Sequence, residues 1–315
     1  CNALIGLSAH TIETALGLRF LTGACLAGVY PPGMKIMASW FRRGRGMAIG
    51  ALVGALTVGS ASPHLLLALG SLPWRGLMLV SSAAAACGGL ICLLLVSDGP
   101  HQAKAARFDI RAVGAAVTDR GVRLATAGYL GHMWELYAVW AWIPAFLAAS
   151  FAASGIAEAN RTASLVAFAV IAVGGVGSAL AGVAADRHGR ATVTVVSMAI
   201  SGGCCLVIGP LFGGSPLVVT AVALLWGLTI VADSAQFSAA LTELAEPRYV
   251  GTALTMQTSL GFLLTMGSIR LVPAAREYLG WEWVFALLAP GPALGIVAML
   301  RLRASPLASR IGGES

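Results

Sequence analysis

The chain is a succession of long apolar runs separated by short polar breaks. Predominantly apolar stretches cover about 16–38, 47–69, 77–96, 122–149, 163–185, 191–212, 216–240, 250–271 and 283–300. An α-helix needs about 20 such residues to cross the hydrocarbon core of a bilayer. It also satisfies every backbone N–H and C=O within itself, which is what lipid demands. Residues 1–8 read as the tail of one further span. The pattern therefore predicts an all-α membrane protein, a bundle of about nine complete transmembrane helices.

Composition excludes the alternatives. Hydrophobic residues make up 58% of the chain, charged residues 10%, and the mean hydropathy is +0.84. A soluble domain carries about 25% charged residues and has no interior large enough for this much apolar surface. The 39 glycines fit the same reading, because membrane helices use small residues to bring backbones close. The net charge of +7 is scattered between apolar runs and forms no single basic patch, so nucleic acid is not the expected partner. The six cysteines, Cys1, Cys25, Cys87, Cys92, Cys204 and Cys205, mostly lie inside apolar runs without metal-ligand spacing. They read as small packing residues, and no metal or cofactor is expected.

The basic residues set the orientation, since Lys and Arg concentrate in cytoplasmic loops. Alternate connections hold Arg42, Arg43 and Arg45; Lys104, Arg107, Arg111, Arg120 and Arg123; Arg187 and Arg190; Arg248; and Arg301, Arg303 and Arg310. The opposite connections hold only Arg75, Arg161 and Arg276. The first set is expected inside, with the C-terminus in the cytoplasm.

One long polar connection, 97–120, contains Asp98, Gly99 and Pro100 and separates three complete spans from six. The organisation expected is a partial first half over 1–96, a cytoplasmic linker over 97–120, a six-helix second half over 121–303 and a cytoplasmic tail over 304–315. The halves repeat weakly at an offset of about 205 residues, as transporter halves do. Gly23 aligns with Gly227, Gly46 with Gly251, and Trp74 and Arg75 lie near the counterparts of Trp281 and Glu282. Six spans after the linker call for six before it, so about 70 to 85 residues are expected upstream, at about 20 per span plus loops. The opening on Cys1, with no basic segment ahead of an apolar stretch, agrees with a fragment.

The segment Gly182-Val183-Ala184-Ala185-Asp186-Arg187-His188-Gly189-Arg190 resembles the loop motif of the major facilitator superfamily in its second copy, between the eighth and ninth family helices. Arg19-Phe20-Leu21-Thr22-Gly23, with Gly28 following, is similar to the fourth-helix motif, and Trp74-Arg75 to the opening of the sixth helix. Gly50, Gly59 and Pro63 match half of the fifth-helix antiporter motif, with His64-Leu65-Leu66-Leu67 where its terminal glycine pair would stand. The stretch from Leu130 to Tyr137 looks like bacterial permeases of the cyanate and nitrate type. The resemblance covers the chain from the third family helix to the twelfth. It implies two pseudo-symmetric halves, location in the bacterial cytoplasmic membrane, a monomer, and gating by Gly182, Asp186, Arg187, Gly189 and Arg190.

Ionisable side chains inside a bilayer cost about 2.5–3.5 kcal/mol each on insertion scales, so each is a functional candidate by default. His132 and Glu135 lie mid-span, three residues apart and so on one helix face. They read either as a buried packing pair or as a proton or solute site facing the cavity. Asp233 and Gln236 have the same spacing. Arg19 lies near a helix end, where it can snorkel; the family resemblance also allows it a part in proton transfer or solute binding. Lys35 and Arg270 read as snorkelling residues.

The function expected is secondary active transport of a small polar or anionic solute, proton-coupled, as a symporter-type permease. A non-transporting sensor or scaffold, or an inactive fragment on the same fold, is the alternative. An enzyme is not expected: His132-Met133-Trp134-Glu135 lacks the His-Glu-x-x-His pattern, and no Gly-x-Ser-x-Gly elbow occurs.

Overall fold

The computed structural model describes residues 1–41, 45–70, 73–101, 118–246 and 249–311. Among these residues the regular structure is helical throughout, with no strand. The first part comprises α1 (Asn2–Ser8), α2 (Ile12–Ala27), α3 (Tyr30–Trp40), α4 (Arg45–Leu69) and α5 (Trp74–Leu95). The second comprises α6 (Arg120–Ala153), α7 (Ala159–His188), α8 (Arg190–Val207), α9 (Pro216–Ile230), α10 (Ser234–Leu244), α11 (Val250–Trp283) and α12 (Pro290–Arg303). Among the described residues, eight stretches are long and apolar enough to cross a membrane. The last, Val250–Arg303, runs for 54 residues and contains two of the expected spans. It turns at Gly280, whose φ of +66° is a backbone state that a side chain would strain.

Two of the expected spans are each broken into two helices. The 16–38 span divides between α2 and α3, where Gly28 meets Val29-Tyr30-Pro31-Pro32. Prolines supply no backbone N–H and disfavour helical geometry in the residue before them. The 216–240 span divides between α9 and α10 at Val231–Asp233. Here tighter three-residue bonds replace the helical ladder, from Ala232 N to Thr229 O (3.2 Å) and from Ser234 N to Val231 O (3.1 Å). The Thr229 hydroxyl meanwhile donates to Leu225 O at 2.9 Å, the kind of side-chain competition that bends helices.

The second half is a closed bundle around α6, which packs against α7, α11 and α12. Phe146, Trp226, Phe285 and Ile143 lie in its core with no exposed surface. The first part is more open: α2 and α5 have no buried residues. Asn2 joins α1 to α5 through Met78 O, Ser81 Oγ and Ser82 Oγ at 3.0–3.2 Å, an interhelical polar contact of the kind membrane helices use.

The main joint between the parts is α4 on α7. It is a small-residue seam, in which a Cβ on Gly54 would lie 3.1 Å from Gly175 O and one on Gly50 only 2.6 Å from Ser178 O. The pairing is antiparallel, 50 with 178 and 54 with 175. Continued along the helices, that register runs the end of α7 towards the start of α4.

The linker begins at the end of α3, where Trp40 Nε1 donates to Ser97 O (3.0 Å) and Gly99 N to Ser39 Oγ (2.9 Å). Residues 102–117 of the expected linker lie outside the described residues, as do Arg42, Arg43 and Arg248. The described part of the tail is docked: Arg310 donates to Leu244 O at the end of α10 (3.0 Å), and Ile311 is 1% exposed.

Candidate functional site

Glu135 sits midway along α6, and its carboxylate is 1% exposed. Three donors reach it: Trp226 Nε1 of α9 at 2.6 Å and Cys205 Sγ of α8 at 3.2 Å, both on Oε1, and Ser201 Oγ of α8 at 3.0 Å on Oε2. Glu135 thus points between α8 and α9, into the body of the second half, where the sequence allows it a cavity. Periodicity cannot decide between the two, because it shows which residues share a face but not what that face meets. The three donors supply in protein what water would otherwise give a buried carboxylate.

One turn earlier, His132 Nδ1 lies 2.9 Å from Asp233 Oδ1, with both side chains at most 2% exposed. The approach is off the hydrogen-bond line, so it is an electrostatic contact between a ring nitrogen and a carboxylate. Asp233 stands at the break between α9 and α10, and His132 packs against Phe237 and Tyr129, with ring centroids 5.7 and 6.0 Å away.

Arg190 is the largest departure from the sequence reading. Expected in a cytoplasmic gating loop, it is the first residue of α8 and only 5% exposed. Its guanidinium holds Glu243 with two bonds, Nε to Oε2 at 3.0 Å and Nη2 to Oε1 at 2.7 Å. A third bond, from Nη1, reaches Gln236 Oε1 at 2.9 Å. A planar fork matched to a carboxylate justifies burying the charge. Gly189 supplies the tight turn between α7 and α8 with a φ of +86°, and Gly182 is buried, whereas Asp186 and Arg187 are exposed.

The structure therefore brings together His132, Glu135, Asp233, Gln236 and Arg190 within the second half. Arg19 is not among them. It is exposed on α2, and the contact of its guanidinium is with Met78 Sδ at 3.7 Å. Glu243 is absent from the sequence candidates, although Asp233, Gln236 and Glu243 recur at helical spacing and so share one face of α10. Trp226, Ser201 and Cys205 left no sequence signal, because nothing local ties their helices to Glu135.

A two-part bundle of membrane-crossing helices, with ionisable groups buried and paired in its apolar interior, is the architecture of a multi-pass membrane carrier. The family model described as Major Facilitator Superfamily matches residues 1–159, half of the chain. The chain belongs to the major facilitator superfamily. No curated protein matches it.

Proposed function

We propose that this protein is a proton-linked secondary transporter that moves a small polar solute across the bacterial cytoplasmic membrane, with its C-terminus inside. The observation that carries the reading is Glu135: a carboxylate in the apolar middle of a membrane bundle, held by three donors and one turn from the His132 and Asp233 pair. Such a group is expensive when ionised and changes charge by taking one proton. The His132 and Asp233 pair, on the same side of α6 and bridging to the helix break, links that proton to the position of α10. Solute binding then biases one arrangement of the two halves over the other.

The test is solute-driven proton movement, read with a pH-sensitive dye in proteoliposomes holding the protein and any helices that precede it. Glu135→Gln keeps the shape and the acceptor oxygen but cannot ionise. It is expected to abolish the pH dependence of uptake while the Trp226 contact persists. If both uptake and its pH dependence survive, Glu135 is a packing residue and proton linkage through it is wrong. An uptake-inactive wild type would favour the sensor or scaffold reading.

The loop motif has its own expected result. In this reading Asp186, exposed near the end of α7, approaches the cytoplasmic start of α4, where a helix N-terminus favours an acidic partner. Asp186 is a latch for the outward-open state in this reading. Asp186→Asn is then expected to raise the labelling rate of cysteines placed on the cytoplasmic face several-fold. Unchanged labelling removes the latch.

A further inference from the structure

The two broken spans are counterparts. The first-half break, at 28–29, moved by the repeat offset of about 205 residues, falls on the second-half break at 231–233. Paired interruptions in corresponding helices are the strongest structural pointer to a solute site in a carrier built from repeats.

The start of α3 also reaches the second half. Tyr30, the first residue of α3, packs on a hydrophobic core to which both parts contribute. Its hydroxyl is close to Ser238 of α10, and it neighbours Tyr137 and Tyr129 of α6. Tyr129 in turn lies near Thr258 of α11, which puts the adjacent Gln257 at the level of the breaks.

Gln257 is fully buried, and neither its Oε1 nor its Nε2 has a partner among the described residues. Gln236, in the first turn of α10, is fully buried with Nε2 likewise unpartnered. A buried polar atom without a partner is costly, so a complete unpaired amide edge, one helical turn from the Gly261 that faces Tyr129, is a recognition surface awaiting its complement. The chemistry of that complement follows from charge. The buried ionisable side chains among the described residues are His132, Glu135, Arg190 and Asp233, and each is already held by a protein partner. Arg190 in particular is tied to Glu243, which leaves this region, among the described residues, no uncommitted buried cation to receive an anion. An amide presents a donor and an acceptor side by side, the complement of a ring edge carrying adjacent N–H and C=O, and aromatic side chains stack on the flat faces of such rings.

We propose that the paired breaks form the solute site, and that its solute is an uncharged planar heterocycle with a lactam edge, read by Gln257 and stacked by Tyr30 and Tyr129. This deepens the transport reading above and rests on it.

The probes are uracil and orotate, which share the ring and its amide edges and differ in a carboxylate. Equilibrium dialysis of radiolabelled uracil against the purified full chain is expected to show saturable binding that excess orotate displaces at least tenfold less well than unlabelled uracil. Gln257→Leu is expected to weaken uracil binding by about tenfold or more, the loss of one to two hydrogen bonds. The same variant is expected to hold or raise the melting temperature, because it removes two unpaired polar atoms from a buried place. No saturable uracil binding, displacement by orotate as strong as by uracil, or a large fall in the melting temperature of Gln257→Leu overturns the assignment. Uracil binding without uracil-driven uptake in proteoliposomes would leave the site standing and sink the transport reading. Proton-linked uptake of another solute, with no uracil binding, would do the reverse.

Discussion

Arg190→Ala is expected to destabilise the second half by about 3 kcal/mol, at the low end of the range for breaking a buried ion pair because Glu243 is partly exposed. The variant strands the Glu243 carboxylate and Gln236 Oε1, both held by that guanidinium at 2.7–3.0 Å. Arg190→Lys retains the charge but not the fork, so it is expected to recover only part of the loss. The informative comparison is the double variant Arg190→Leu with Glu243→Leu. Replacing both members of a buried pair by apolar residues is often close to neutral, so the double variant is expected to be more stable than either single one. The measurement is thermal unfolding of the purified full chain, followed by tryptophan fluorescence. Additive losses in the double variant would show that the pair does not hold α8 to α10.

Gly50→Val is expected to be the most damaging change in the seam between the parts. Its Cβ would lie 2.6 Å from Ser178 O and 3.3 Å from Ala179 Cα, and backbone cannot yield as a side-chain tip can. Overpacking of this kind costs about 1–3 kcal/mol, and here it wedges apart the two helices that form the main joint. The control lies in the same helix: a Cβ on Gly59 would meet nothing within 4 Å, so Gly59→Ala is expected to be neutral. Thermal unfolding separates the two. In proteoliposomes, Gly50→Val is also expected to reduce uptake by at least tenfold, about 1.4 kcal/mol in a rate barrier, because in the proposed transport cycle the two parts move against each other along this contact. Equal behaviour of the two variants would remove the seam from the mechanism.

The pattern of apolar runs was sufficient for the membrane class and for the number of crossings, because the bilayer imposes one length and one secondary structure on every span. The mid-membrane positions of His132, Glu135 and Asp233 were legible for the same reason: a charged residue inside an apolar run is conspicuous wherever it later points. The glycine of the loop motif was legible too, since the turn before α8 needs the left-handed backbone that Gly189 provides.

What the linear pattern did not contain is which faces meet. Glu135 reaches Ser201, Cys205 and Trp226 across 66 to 91 residues of chain. Arg190 finds Glu243 53 residues away. Those pairings depend on how α6, α8, α9 and α10 rotate against one another, and helical periodicity is silent on rotation. The break between α9 and α10 was hidden for a related reason, since an apolar run looks continuous whether or not its backbone ladder is, whereas the break before α3 is marked in the sequence by Pro31 and Pro32. Sequence alone determined that this chain crosses a membrane many times and buries a few charges there. Only the tertiary structure decided that those charges are held inside one half, and that Tyr30, at the start of α3, comes beside Ser238 of α10.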